Sequence, residues 1–134
     1  MSEQQQSIVR VIEVMQDNLI LLNGLVTVRD ALVKMKETGD KAVLVDKRDE
    51  NDEYGLVLLS DIAKQVLAHN RAPARVNLYE VMSKPVVSVR SSMDIRYCAR
   101  LFERMGIAVA PVIDIDEVLG MVRYEDLVLS GMVP

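Results

Sequence analysis

Short apolar runs alternate along this chain with stretches whose apolar residues return every three or four positions. Leu19 to Leu22 and Val86 to Val89 have the length and composition of strands. Each is followed by a helical stripe, Val28, Ala31, Leu32 and Met35 in the first case and Ile95, Cys98, Ala99 and Phe102 in the second. Thr27 and Asp94 stand where side-chain oxygens cap helix starts, and Thr27 with Asp30 resembles a capping box carrying Asp in place of Glu or Gln. Gly39 and Gly106 stand where the helices should end, because glycine takes positive φ at little cost. Two strands follow in each case, Ala42 to Val45 with Gly55 to Leu59, and Val109 to Ile113 with Leu119 to Arg123, each pair joined by a polar turn. Further helices are predicted after Ser60-Asp61 and near Glu125-Asp126. The order is β-α-β-β-α, twice.

The duplication is visible in the residues themselves. Glu13-Val14-Met15 returns 67 positions on as Glu80-Val81-Met82, and the same shift carries Val28, Ala31, Leu32, Met35 and Gly39 onto Ile95, Cys98, Ala99, Phe102 and Gly106. Val43-Leu44-Val45-Asp46 then meets Pro111-Val112-Ile113-Asp114, and Gly55 and Asp61 meet Gly120 and Asp126. The repeats are read as residues 1–69 and 78–134, joined by a linker over 70–77 that contains Pro73. A chain of ~60 residues buries only about 60% of its unfolded surface, so neither half should be stable alone. The expectation is an α+β fold in which two tandem repeats share one core with pseudo-twofold symmetry. Leu32 against Ala99 and Met35 against Phe102 trade volume, as interdigitating helices require.

Composition narrows the chemistry. Half of the 134 residues are apolar, and the formal charge is −4 from 16 basic and 20 acidic residues, with no Trp and a single Phe. Neither the basic footprint nor the stacking aromatics of a nucleic-acid binder are present. Residues 1 to 66 carry 8 basic and 12 acidic residues and residues 67 to 134 carry 8 of each, so an anion meets less resistance in the second half. The longest apolar runs fall far short of the ~20 residues that span a bilayer, and no export signal is evident, so no membrane insertion and a cytoplasmic location are expected. The single His, His69, rules out His-rich metal centres and paired relays, and reads as solvent-facing at a frayed helix end. Cys98 lies on an apolar stripe and reads as a core residue rather than a nucleophile. The acidic run Asp46 to Glu53 lacks the spacing of a calcium loop and reads as a solvated hairpin tip. Arg96, Arg100 and Arg104, four apart on one helix, read as a soluble face or a partner surface.

The duplicated unit, with Glu-Val-Met before its first strand, Pro-Val-Ile-Asp on its second and Gly-Met-Val-x-x-x-Asp-Leu after it, resembles a tandem pair of cystathionine-β-synthase (CBS) domains. The resemblance runs from about Ile8 to Gly131. It implies a non-catalytic regulatory sensor, often for adenosine-containing ligands such as AMP, ADP, ATP or S-adenosylmethionine, that dimerises and signals to a client protein. The family's ligand motif is Gly-h-h-Thr/Ser-x-x-Asp, whose Asp binds the ribose hydroxyls. Asp61 and Asp126 fill the acidic position, while Leu58 and Arg123 replace the hydroxyl residue. Leu58 offers no hydrogen bond, whereas Arg123 presents a planar fork suited to phosphate, which points to the second repeat as the main site. Ala108, Ala110 and Pro111 resemble the family's loop and strand facing the adenine. Ser83, Lys84 and Pro85 resemble the segment lying along the cleft, with Lys84 a second phosphate contact.

Other roles remain open for the same residues. Asp61 and Asp126 equally suit first-turn caps, and Arg123 equally suits an exposed position or a pair with Glu125 or Asp126. Two functions follow. One is a homodimeric sensor of an adenosyl small molecule, needing no cofactor. The other is a protein-interaction or dimerisation module whose ligand sites have decayed. Val66, Leu67 and Leu127 are the expected dimer contacts.

Overall fold

The computed structural model describes residues 7–133. Along the chain the elements are α1 (Val11–Val14), β1 (Leu21–Leu22), α2 (Val28–Thr38), β2 (Ala42–Val45), β3 (Gly55–Leu58), α3 (Leu59–Gln65), α4 (Ile95–Met105), β4 (Val109–Asp114) and β5 (Glu117–Arg123). Short 3-10 turns occupy Leu67–His69, Pro73–Arg75 and Leu78–Glu80, and a π-helical turn over Asp126–Ser130 replaces the second predicted C-terminal helix. These elements form two compact units, one of residues 19–86 and the other joining the chain up to Asn18 with the chain from Val87 onward.

In the 19–86 unit β1 runs parallel to β2, and β2 pairs antiparallel with β3, Val43 opposite Val57 and Leu44 opposite Leu56. The helix between β1 and β2 begins where Thr27 Oγ accepts the Asp30 N–H at 3.2 Å. It ends at Gly39, whose φ of 79° lets its N–H reach the Met35 carbonyl. In the other unit β4 and β5 form an antiparallel pair. Its helix starts at Asp94, whose carboxylate accepts the Arg96 N–H at 2.9 Å, and stops at Gly106, φ 67°. The Arg96 side chain bonds the same carboxylate and holds it below the ordinary Asp value.

The strand predicted over Val86 to Val89 is reduced to one parallel bridge, Val89 with Val112. In the first repeat the Leu44 and Asp46 N–H groups donate to Ile20 and Leu22. The structural register differs by one residue from the alignment of Val43 with Pro111: Val112 takes the place of Val45 and Pro111 that of Leu44, so Ile113 still donates to Val89 but Pro111 has no N–H to give.

The buried side chains sort into two clusters, one in each unit, where the sequence leads one to expect a single shared core. Met35 packs with Val28, Ala31, Val43, Val57, Leu78 and Val81, and Phe102 with Val11, Val14, Cys98, Ala110 and Val122. What the two halves share is chain. The first copy of Glu-Val-Met, in and beside α1, packs in the unit that holds α4, β4 and β5, and the second copy packs against α2, β2 and β3. Backbone hydrogen bonds fasten both loans. Gln16 and Met121 exchange bonds of 2.8 and 2.9 Å, and Ser83 and Leu56 exchange two of 2.9 Å. Each half is too small to close its own core, and the missing piece comes from the other half. The spatial boundaries therefore differ from the repeat boundaries, and the stretch read as a linker takes part in the 19–86 unit. Val76 is buried there, and its carbonyl receives the Val28 N–H at 2.7 Å.

Candidate functional site

At the end of β5 the chain turns, and Asp126 folds its carboxylate back onto the strand. The residue is 3% exposed. One oxygen accepts the Arg123 N–H at 2.9 Å and its Nε at 3.1 Å, and the other accepts Arg123 Nη2 at 3.0 Å and Gln16 Nε2 at 3.0 Å. The result is a two-point pair between a planar guanidinium and a carboxylate, braced by an amide. Glu125 adds a second carboxylate 3.4 Å from Arg123, whose side chain keeps about a third of its surface in solvent. Of the roles left open for Arg123, pairing with both Glu125 and Asp126 is the one adopted. The first-turn cap foreseen for Asp126 is also formed, through the Arg123 N–H.

The wall beside this pair is β4. Val109 stands opposite Arg123 and Ala110 opposite Val122, with Ala110 and Pro111 buried. Ala108, exposed, receives the Tyr124 N–H at 3.2 Å. Phe102 meets the Tyr124 ring edge to face, centroids 5.2 Å apart, and so supports the turn between Arg123 and Asp126. Arg123, Asp126, Ala108, Ala110 and Pro111 are thus brought into one unit.

Ser83, Lys84 and Pro85 are not part of this group. They belong to the 19–86 unit, where Ser83 pairs with β3 and the Lys84 amine rests on Asp52 of the hairpin. The segment that runs beside β5 is the first copy, and Gln16 occupies the place expected of Ser83. The exchange of segments between units is the reason. Gln16 is legible as the counterpart of Ser83 in the repeat, yet nothing local in the sequence assigns it to Asp126.

Asp61 mirrors Asp126 at the end of β3. Its carboxylate accepts the Leu58 N–H at 2.8 Å, and among the described residues its second oxygen receives no hydrogen bond. With leucine at the preceding position no guanidinium closes over it. A carboxylate capped on one side and open on the other is available to a hydroxyl donor.

The remaining reactive groups are occupied or inert. Cys98 is fully buried in its core, and burial pushes its thiol up to about 11. Asp114 accepts from the Ser91 hydroxyl and N–H and lies below the ordinary carboxylate value. Arg96 is held by Asp94, and Arg100 lies over the Tyr97 ring. Among the described residues no group of three or more His, Cys, Asp or Glu is placed to hold a metal ion.

One unit with the order β-α-β-β-α and a second that keeps its α-β-β part, each with an inturned carboxylate just after its last strand, define a duplicated α+β module. Residues 78–131 match the CBS domain family. The hexameric CBS-CP12 protein from bloom-forming cyanobacteria is 36% identical, with a TM-score of 0.86 over 90% of this chain and 69% of that one. The chain belongs to the CBS-domain family, as a pair of such domains. A CBS domain pair solved in complex with 5′-methylthioadenosine and S-adenosyl-L-methionine shares the fold, with a TM-score of 0.79 and 22% identity over 94% of this chain and 99% of that one. An uncharacterized protein from Methanopyrus kandleri is 27% identical over 117 residues, 86% of this chain and 59% of that protein. The chain thus spans less than two thirds of that relative's length.

Proposed function

We propose that this CBS pair is a regulatory module that senses an adenosine-containing nucleotide, received mainly at Asp126, and passes its occupancy to a client protein. The observation that carries the reading is the Arg123–Asp126 pair, a buried carboxylate and a part-exposed guanidinium joined at the family's ligand-motif positions. A nucleotide offers a substitute for each partner. Its vicinal hydroxyls donate to the carboxylate and its phosphate accepts from the guanidinium, so opening the pair leaves neither charge unpaired. Ala108, Ala110 and Pro111 form the wall for the base, and Asp61, without an arginine, is the weaker second site. The adenosyl ligands of the structural relative support the class of ligand.

Calorimetric titration with adenosine, AMP and ATP tests this. Arg123→Thr restores the family's hydroxyl but removes a charge-assisted contact of ~1.5 to 3 kcal/mol, so AMP and ATP affinity should fall about tenfold or more while adenosine barely changes. Asp126→Ala should weaken all three ligands far more than Asp61→Ala does. Equal losses in the two Asp variants would reject the second repeat as the main site.

A second reading, an interaction module with empty sites, is favoured by one feature. Four donors already satisfy the Asp126 carboxylate. Absence of heat with every adenosyl compound would leave this reading standing.

In either reading the chain does no chemistry of its own, with Cys98 buried and His69 on an exposed turn. It needs no cofactor, binds no nucleic acid and works in the cytoplasm. No helix among the described residues is long and apolar enough to cross a membrane. Self-association fits a groove of about 510 Å³ on the 19–86 unit, lined by Leu32, Leu59, Ile62, Leu67 and Pro73. Leu67 is 75% exposed, whereas Val66 and Leu127, also expected as contacts, are core residues. A homodimer is expected by light scattering at micromolar concentration, and Leu67→Asp should shift it to the monomer mass. A monomeric parent would defeat the proposal.

A further inference from the structure

Outside the two carboxylate sites, the 19–86 unit holds a cavity of about 530 Å³, well within the range of small-molecule sites. It opens between the loop after β1, the β2–β3 hairpin and residues 79–84. This is the end of the sheet where Val45 pairs with Gly55, while Asp61 follows the other end, where Ala42 pairs with Leu58. The cavity is therefore separate from the Asp61 position.

Its lining is apolar on one side and charged on the other. Val45, buried, and Met82 form the floor, and Leu25 and Tyr79, 71% and 51% exposed, form an apolar lip. Facing them, the Asp52 carboxylate takes the Arg48 N–H at 2.9 Å, Arg48 Nε at 3.1 Å and the Lys84 amine. Two cations on one carboxylate leave a surplus of positive charge there. Asp46 lines the same cavity, its carboxylate bonded among the described residues to the Lys47 N–H alone, at 2.8 Å, and supplies a negative point. Both signs are present and the lining is formally neutral. A phosphate would bring further negative charge beside two carboxylates, while a zwitterion brings one charge of each sign.

We infer that this cavity binds an apolar α-amino acid as its zwitterion. The carboxylate meets Lys84 and Arg48, the ammonium meets Asp46, and the side chain lies between Leu25, Tyr79 and Met82, whose thioether adapts to different shapes. This site is independent of the nucleotide reading.

Amide NMR titration of the whole chain with L-phenylalanine, 3-phenylpropanoate and 2-phenylethylamine tests it. L-Phenylalanine should move the amides of Asn23, Gly24 and Tyr79, and each half-charged analogue should bind about tenfold more weakly or worse. Lys84→Met should cost L-phenylalanine and 3-phenylpropanoate about tenfold and leave 2-phenylethylamine little changed. If that variant fails to fold, Tyr79→Ala, at the exposed lip, should weaken all three probes. AMP should not displace the amino acid, so the two sites are told apart. No amide shift around Gly24 at millimolar L-phenylalanine, or equal binding of the three probes, would overturn the inference.

Discussion

Gly120→Ala is expected to detach the segment around Gln16 from β5 and destabilise the protein by about 3 kcal/mol or more. A Cβ at Gly120 would drive into the Gln16 carbonyl oxygen, with the Gln16 carbonyl carbon at 3.0 Å and Asp17 Cα at 3.1 Å. Every one of these atoms is backbone, so no rotamer change relieves the clash. The two Gln16–Met121 hydrogen bonds and the Gln16 brace on Asp126 should go with it. Urea unfolding would register the loss as a lower midpoint, and hydrogen exchange as faster exchange at Gln16 and Met121. An unchanged midpoint would mean that the strand yields without cost, which the geometry does not allow. Gly55 makes a useful contrast, because a Cβ there meets the Met82 side chain, which can move.

Phe102→Ala should cost about 3–5 kcal/mol, the usual range for emptying a large aromatic site in a packed core. Phe102 is the chain's only phenylalanine and is fully buried. Its ring supports Tyr124, which directly follows Arg123 in the turn to Asp126, so nucleotide affinity should drop along with stability. Phe102→Leu, which refills most of the volume, should recover much of both. A Phe102→Ala protein that unfolds at the parent's denaturant midpoint would contradict the assignment of this ring to the core.

Local features of the fold were legible because their causes are local. Thr27 and Gly39 bound one helix, Asp94 and Gly106 the other, and each cap is a matter of neighbouring residues. The loss of pairing near Val86 could have been foreseen from Pro111, once its register partner was known. The trade of segments could not. Val14 and Val81 sit in the same three-residue word, and either fits either core, so only the folded chain distinguishes them. That ambiguity misassigned Ser83, Lys84 and Pro85 and hid Gln16. Arg123 was legible as a cation close to the motif carboxylate, but which of its open roles it takes depends on a turn that brings Asp126 back within 3.0 Å. Val66 was read as a dimer contact and proved to be core, because it lies one helical turn after the buried Ile62 and bonds its carbonyl, and so shares that inward face.

The trade also sets an order of assembly during synthesis. All the chain that composes the 19–86 unit leaves the ribosome before Val87 does, so that unit can close early. The segment around α1 emerges before that unit, yet its docking surface, α4 with β4 and β5, is made after it. Val11 and Val14 must therefore stay uncommitted until the chain has been made as far as β5, with the site for Val81 open to them in the interval. A segment made before the 19–86 unit thus completes a unit made after it.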